Sequence, residues 1–220
     1  MKRAWLAILG ALVLLPACQE NVVTEFPDGF EPWEEHAAPL PDAVGADACP
    51  ETLVFVRNPR YEGAWNVHGT ACIHQPIATV FASVQEATTS RDPTTTTTFE
   101  ALPVMPEECD GDYQTSVHVD DIVDVDFRTC WRHAVVTEDE LGGLSVTATR
   151  WQKVWGSSFI SVMEGSIVLT PLESDPNITV VRYQYHLEAL SSSNATVESF
   201  LTVIYERLRD HANGVALTPP

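Results

Sequence analysis

The chain predicts an α+β fold in which antiparallel strands pack against one long C-terminal helix. Three observations carry that expectation. From residue 123 to 136 the side chains alternate: Val123, Val125, Phe127, Thr129 and Trp131 share one face, and Asp124, Asp126, Arg128, Cys130 and Arg132 share the other. Period two with one polar face marks a half-buried antiparallel strand. Segments 144–155, 158–170 and 178–190 then follow, rich in β-branched and aromatic residues. Finally, Val197, Phe200, Leu201, Ile204, Tyr205 and Leu208 recur at the spacing of an amphipathic helix.

Leu53 to Val56 is a short apolar run that fits either a strand or a helical turn, and residues 65–73 read as a strand rich in Val, Thr and Ile. Pro76 stands where a helix can start, and Ile77, Val80, Phe81 and Val84 continue it at helical spacing. The threonine run 94–98 is of low complexity and reads as a loop, although β-branched residues also tolerate an extended strand. Pro103, Pro106 and Gly111 keep the next stretch irregular, and 116–119 is a short strand candidate. Gly142 and Gly143 mark a turn between strands, and Gly165 within a strand suggests a bulge or bend. Residues 191–194 supply capping candidates for the last helix. Glu198 near its start and Arg207 and Arg209 near its end suit the macrodipole, and Gly214 stops it.

Charge and cysteines narrow the function classes. The chain carries 31 acidic and 12 basic residues, for a net charge of -19. That balance excludes nucleic acid as a partner, since binding phosphates requires basic residues to replace counterions. It also disfavours electrostatic docking on anionic headgroups. Beyond Cys18 stand Cys49, Cys72, Cys109 and Cys130. Four cysteines without C-x-x-C spacing point to an oxidising compartment and two disulfides, with three pairings open.

The amino terminus is the most specific signal. Lys2 and Arg3 form a basic head, residues 4–15 an apolar run too short to span a bilayer, and Leu15-Pro16-Ala17-Cys18 ends it. This resembles the lipobox of bacterial lipoproteins. The resemblance implies cleavage after Ala17, acylation of Cys18 with palmitate-type chains, and a membrane partner held through that lipid anchor. Gln19 in place of Asp implies an outer-membrane rather than inner-membrane address, facing the periplasm or the cell surface. The organisation expected is a signal peptide over 1–17, an acidic proline-rich tether over 18–48, a folded domain over 49–214 and a tail over 215–220. Pro27, Pro32, Pro39 and Pro41 and the absence of Lys and Arg support the tether. Phe26, Phe30 and Trp33 within it are expected to dock on the domain, the alternative being a short partner-binding patch.

The order of elements over residues 65–214 resembles the helix-grip fold of START-like and polyketide-cyclase-like (SRPBCC) proteins. The residues that carry the resemblance are Gln75-Pro76-Ile77 leading into Val80 and Phe81, Asp124-Val125-Asp126-Phe127 with Trp131, and His211-Ala212-Asn213-Gly214. It implies a curved antiparallel sheet wrapped around the terminal helix, with a cavity for a hydrophobic small molecule or lipid. Phe127, Trp131, Tyr183, Tyr185, Phe200 and Ile204 are the cavity candidates. Two rivals accompany this reading: a cyclase/aromatase-like enzyme, and a non-catalytic envelope component that contacts other proteins.

Chemistry beyond that is sparse. His68, His74, His118, His133 and His186 lack metal-ligand spacing, and Asp120, Asp121, Asp124 and Asp126 lack the glycine and closing glutamate of a calcium loop. Glu164, His133 and His186 are the candidate bases an enzyme would need, and Arg150, Lys153 and Arg182 the candidate partners for a ligand carboxylate. No catalytic residue, metal or cofactor is assigned.

Overall fold

The chain begins its ordered sheet with β1 (Val54–Tyr61), which turns into β2 (Ala64–Ile73). The two-residue turn between them, Glu62-Gly63, has positive φ at both positions (47° and 99°), as a type I′ hairpin requires. Then come α1 (Ile77–Val84), a 3₁₀ turn at Ala87–Ser90, β3 (Thr96–Leu102), β4 (Tyr113–Val119), β5 (Val125–Glu138), β6 (Leu144–Gly156), β7 (Ile160–Leu172), β8 (Asp175–Ala189) and α2 (Asn194–Ala212). The computed structural model describes residues 21, 23, 26, 28–30, 33–41, 49–103, 109–120, 124–138 and 142–217. The expected signal peptide 1–17, Cys18, residues 42–48, Asp121, Val123 and the end of the tail, 218–220, lie outside the described residues.

The strands form one curved, eight-stranded sheet in the order β1-β2-β8-β7-β6-β5-β4-β3, with each neighbouring pair antiparallel. Its two edges explain two ambiguous segments. Pro59 lies in β1, an edge strand, where the register shifts between Asn58 and Tyr61, and proline is tolerated at such a place. The threonine run divides: Thr94 and Thr95 form a turn, and Thr96 onward is the other edge strand, β3.

Both helices lie on the inner face. The long helix starts at Ser193, whose hydroxyl accepts from the Thr196 N–H at 3.1 Å, and ends at Gly214 with φ 76°. Arg209 and His211 occupy its last turn. Glu198 stands past the first turn and pairs instead with Arg57 on β1 at 2.6 Å. Val197, Leu201, Ile204, Tyr205 and Leu208 bury their stripe against the sheet and α1. At about 1.5–3 kcal/mol for each large apolar side chain, that burial outweighs the helix's own marginal propensity. Tyr205 Oη donates to the Cys72 carbonyl at 2.6 Å and fixes the helix register over β2.

The disulfides join Cys49 to Cys72 and Cys109 to Cys130, with Cα separations of 5.7 and 5.8 Å. Each ties a connecting segment to a strand of the sheet.

Gly165 departs from expectation. It marks no bulge: Trp151, Gly165 and Tyr185 stand opposite one another in unbroken register across β6, β7 and β8. Glycine is needed because a Cβ there would lie 2.3 Å from Trp151 Cζ2 and 2.4 Å from the Gln184 carbonyl oxygen. Gly165→Ala is therefore expected to destabilise the domain by about 1–3 kcal/mol, the usual cost of overpacking. Thermal denaturation of the two proteins side by side checks this, and an unchanged midpoint would contradict the packing described.

Candidate functional site

An open cavity of about 320 Å³ lies between the inner face of the sheet and the N-terminal half of α2. Trp131, Trp151 and Tyr185, members of one cross-strand row, make its floor. Tyr113, Trp131, Trp151, Gly165 and Tyr185 are consecutive partners across β4, β5, β6, β7 and β8. The rings meet in sequence: Tyr113 to Trp131 at 5.9 Å, Trp131 to Trp151 at 5.5 Å, Trp151 to Tyr185 at 4.6 Å, and Tyr185 to Phe200 of α2 at 5.2 Å. Phe127, Ile160, Met163 and Leu187 add apolar wall. The strands put these residues on one face because their side chains alternate, and the helix supplies Phe200 from the same stripe that packs the core.

Polar groups at the cavity are few and mostly hydroxyls. Thr115 accepts the Trp131 indole N–H at 3.2 Å. Thr129, Thr96 and Ser199 also line the space. Arg91 and Asp92 are the charged residues of the lining. Asp92 is occupied locally: its carboxylate accepts from the Thr94 N–H at 2.8 Å, the Thr94 hydroxyl at 2.5 Å and the Thr95 hydroxyl at 3.1 Å. It orders the turn that forms one rim. Burial raises the Tyr185 phenol far above its ordinary range, so it stays a neutral hydroxyl.

Of the residues expected at a cavity, the structure brings Phe127, Trp131, Tyr185 and Phe200 together. Tyr183 and Ile204 lie in the closed core beside it, where the Tyr183 hydroxyl is buried. The candidate bases are elsewhere. Glu164 and His186 point to the outer face, and His133 lies near Phe81 of α1, with its Nδ1 2.8 Å from the Thr149 hydroxyl. Burial pushes His133 down to about 4. Lys153 is buried, and burial pushes it down to about 8. Its Nζ donates to the carbonyls of Ser157 (2.8 Å) and Ile160 (2.6 Å), which closes the β6–β7 turn. Arg182 is half-buried and donates to the Thr170 hydroxyl at 2.9 Å.

The outer face holds a second constellation, whose members stand far apart in the sequence. Residues of the expected tether lie across it as a strap. The Glu34 carboxylate receives Asn66 Nδ2 and, at 2.7 Å, His68 Nε2, and stands 3.5 Å from His186 Nε2. His186 Nδ1 meets Glu164 at 3.0 Å, and Gln184 donates to the Glu34 carbonyl at 3.1 Å. The Ala37 N–H donates to His68 Nδ1 at 2.7 Å, so that nitrogen is unprotonated and His68 is the neutral Nε2–H tautomer. Trp33 lies over the Arg150 guanidinium and Phe26 and Phe30 over that of Arg132. His68 and His186 are 0% exposed beneath this cover. Among the described residues no group of three His, Cys, Asp or Glu side chains converges as a metal site. His118 is separate, held at the surface between Asp120 (2.9 Å) and Asp126 (2.8 Å), whose hydrogen bonds raise its pKa. The sequence anticipates the docking of Phe26, Phe30 and Trp33 but not the polar partners of the strap, which lie more than a hundred residues away in several cases.

No family model matches this chain, and no curated protein matches it. Solved structures do. The Zhui aromatase/cyclase of a Streptomyces species aligns with a TM-score of 0.48 at 12% identity, over 67% of this chain and 93% of that one. A START superfamily protein from Mycobacterium smegmatis aligns at 0.47 and 14%, over 68% and 97%. The human StarD13 lipid transfer and protein localization domain aligns at 0.46 and 9%, over 67% and 76%. The structural neighbours are thus START-superfamily proteins and aromatase/cyclases, and the likeness is one of architecture.

The strap's electrostatics give a pH prediction. Burial, and then the neighbouring His68, push His36 from 6.5 to about 4. Burial also lowers His68, against the pull of Glu34. Burial raises Glu34, but hydrogen bonds from His68 and Asn66 outweigh it and hold the carboxyl below its ordinary value. All three folded values are depressed. Their contribution is complete above the unfolded values and is lost as pH falls, for the imidazole of His36 between 6.5 and about 4. Hydrogen exchange across residues 33–41, corrected for intrinsic rates, should accelerate over that window. Constant protection down to pH 4 would contradict it.

Proposed function

We propose that this chain is a membrane-anchored bacterial envelope lipoprotein whose domain binds a hydrophobic small molecule or lipid. The observation that carries the binding half is the cavity itself. Its volume of about 320 Å³ is within the range of small-molecule sites, which span roughly 300–1,000 Å³. Its floor is a row of aromatic rings, and its polar groups are mostly hydroxyls able to orient a ligand, with Arg91 and the locally bonded Asp92 as the charged residues. A helix-grip architecture of this kind is compatible with a hydrophobic ligand. The cyclase/aromatase-like alternative requires an acid and a base aimed at a substrate. Asp92 already has three donors, and Glu164, His133 and His186 stand outside the lining, so binding is the better reading.

The anchoring half rests on sequence chemistry. The lipobox-like Leu15-Pro16-Ala17-Cys18 supplies a thiol for acylation, and Gln19 favours the outer membrane. Several acyl chains hold a protein stably where one holds it marginally. Among the described residues no helix is long and apolar enough to cross a membrane, and the acidic surface gives no electrostatic attraction to anionic lipid. Covalent lipid would then supply the membrane attachment.

Two measurements test the halves separately. The apolar fluorophore N-phenyl-1-naphthylamine should bind the domain and brighten. Met163→Trp, which fills the cavity, should weaken that binding about tenfold or more without lowering the melting temperature, and equal binding by both proteins would refute the cavity as the site. Replacing Cys18 by Ser should move the protein from the membrane to the soluble fraction, and unchanged sedimentation with membranes would refute the anchor.

A further inference from the structure

We infer that the fold holds the cavity mouth against the bilayer at short range, the lipid surface being the partner of this rim; the inference rests on the anchor and cavity proposed above. The residues between Cys18 and the sheet do not form an unattached spacer. From Ala38, whose carbonyl accepts from Thr70 at 3.1 Å, through Glu34 and Trp33 to Phe26, the strap crosses the outer face. Asn21 then pairs antiparallel with Ser157. Ser157 stands at the cavity end of the sheet. Phe159 and Ile160, just after it, line the cavity, and its N–H donates to the Asp126 carbonyl at 2.9 Å, between the lining residues Val125 and Phe127.

The length of the free lead sets the distance to the membrane. An undocked chain from Cys18 to Cys49 could reach on the order of 100 Å, whereas Cys18 to Asn21 spans at most about 10 Å. The acyl chains would therefore emerge beside the mouth, and the domain could not stand off from the membrane. The rim suits that position. Leu190 is 67% exposed, and its N–H donates to the Phe159 carbonyl at 3.0 Å, which joins two apolar rim residues. Lys153 clamps the same turn. Thr95, Ser191 and Thr196 bring neutral hydroxyls to the exposed lining, and the acyl anchor would hold the rim in place against the repulsion of Asp120, Asp124 and Asp126, which flank the lining residues Val119, Val125 and Phe127. A hydrophobic ligand would pass between bilayer and cavity without crossing water.

The test uses the full, acylated protein in vesicles of phosphatidylcholine and phosphatidylglycerol containing a nitroxide-headgroup lipid. A fluorophore is attached through Leu190→Cys or, as a second rim reporter, Ser158→Cys, and through Thr137→Cys on the exposed far end of β5. Quenching is expected to be several-fold stronger at positions 190 and 158 than at 137. Inserting 20 Gly/Ser residues between Gln19 and Glu20 should erase that difference while the protein stays vesicle-bound. Equal quenching at all three positions in vesicle-bound protein overturns this inference and leaves the anchor standing. Quenching at the rim that survives the insertion overturns the role of the short lead. Protein that never floats with vesicles overturns the anchor reading itself.

Discussion

The packing of Trp151 and Tyr185 over Gly165 is the constraint on which the rest of the structure depends. The rings of Trp151 and Tyr185 lean together over β7, so that a Cβ at position 165 would lie 2.3 Å from Trp151 Cζ2 and 2.4 Å from the Gln184 carbonyl oxygen. The glycine on β7 leaves the middle position bare, and the rings from β6 and β8 close over it to a centroid distance of 4.6 Å. Trp131 and Tyr113 extend the row in one direction and Phe200 in the other. Each such ring pair contributes about 0.5–1.5 kcal/mol beyond its buried area. The result is a rigid aromatic floor. Because α2 packs chiefly on β2 and α1, the inner face of β4 and β5 is left to line a cavity.

The outer face solves a different problem. The row Arg132, Arg150, Ser166, Gln184 and His68 and the row Gln152, Glu164, His186 and Asn66 place polar side chains at the centre of the sheet, where they are buried. A buried polar group without a partner costs about 1–3 kcal/mol. The strap meets much of that demand with the Glu34 carboxylate, the carbonyls of Glu34 and Ala38, and the aromatic faces of Phe26, Phe30 and Trp33. A polar face thereby becomes an interior, and an acidic proline-rich segment becomes part of the fold.

The range of each interaction determines how much of this was legible in the sequence. Alternation along 125–131 and the stripe from Val197 to Leu208 are local periodicities, and they located β5, α2 and three of the expected cavity residues, Phe127, Trp131 and Phe200. Tyr183 and Tyr185 share a face, but strand alternation alone does not say which level of the sheet the cavity occupies, and Tyr183 falls in the closed part of the core. Gly165 was visible as an anomaly. Its cause was not, because the clash it avoids comes from two other strands. The strap was least legible, since proline and charge describe a segment that cannot order itself, and its partners belong to strands far along the chain.

The cavity and the covered outer face are linked through stability. The open space of about 320 Å³ removes packing contacts from the inner face of the sheet. The two disulfides, each closing a loop of 23 or 21 residues, return a little over 3 kcal/mol apiece, or about 6 kcal/mol together. These covalent ties fix two non-edge strands, β2 and β5, of a sheet whose inner face is partly hollow. Cys72 sits on β2 under the Tyr205 hydroxyl, and Cys130 sits on β5 beside Trp131. The Cys109–Cys130 disulfide therefore ties down β5, which lines the hollow, and the Cys49–Cys72 disulfide ties down β2, on which α2 packs. A ligand that filled the space would restore the missing contacts directly, so occupancy and stability should rise together in this fold.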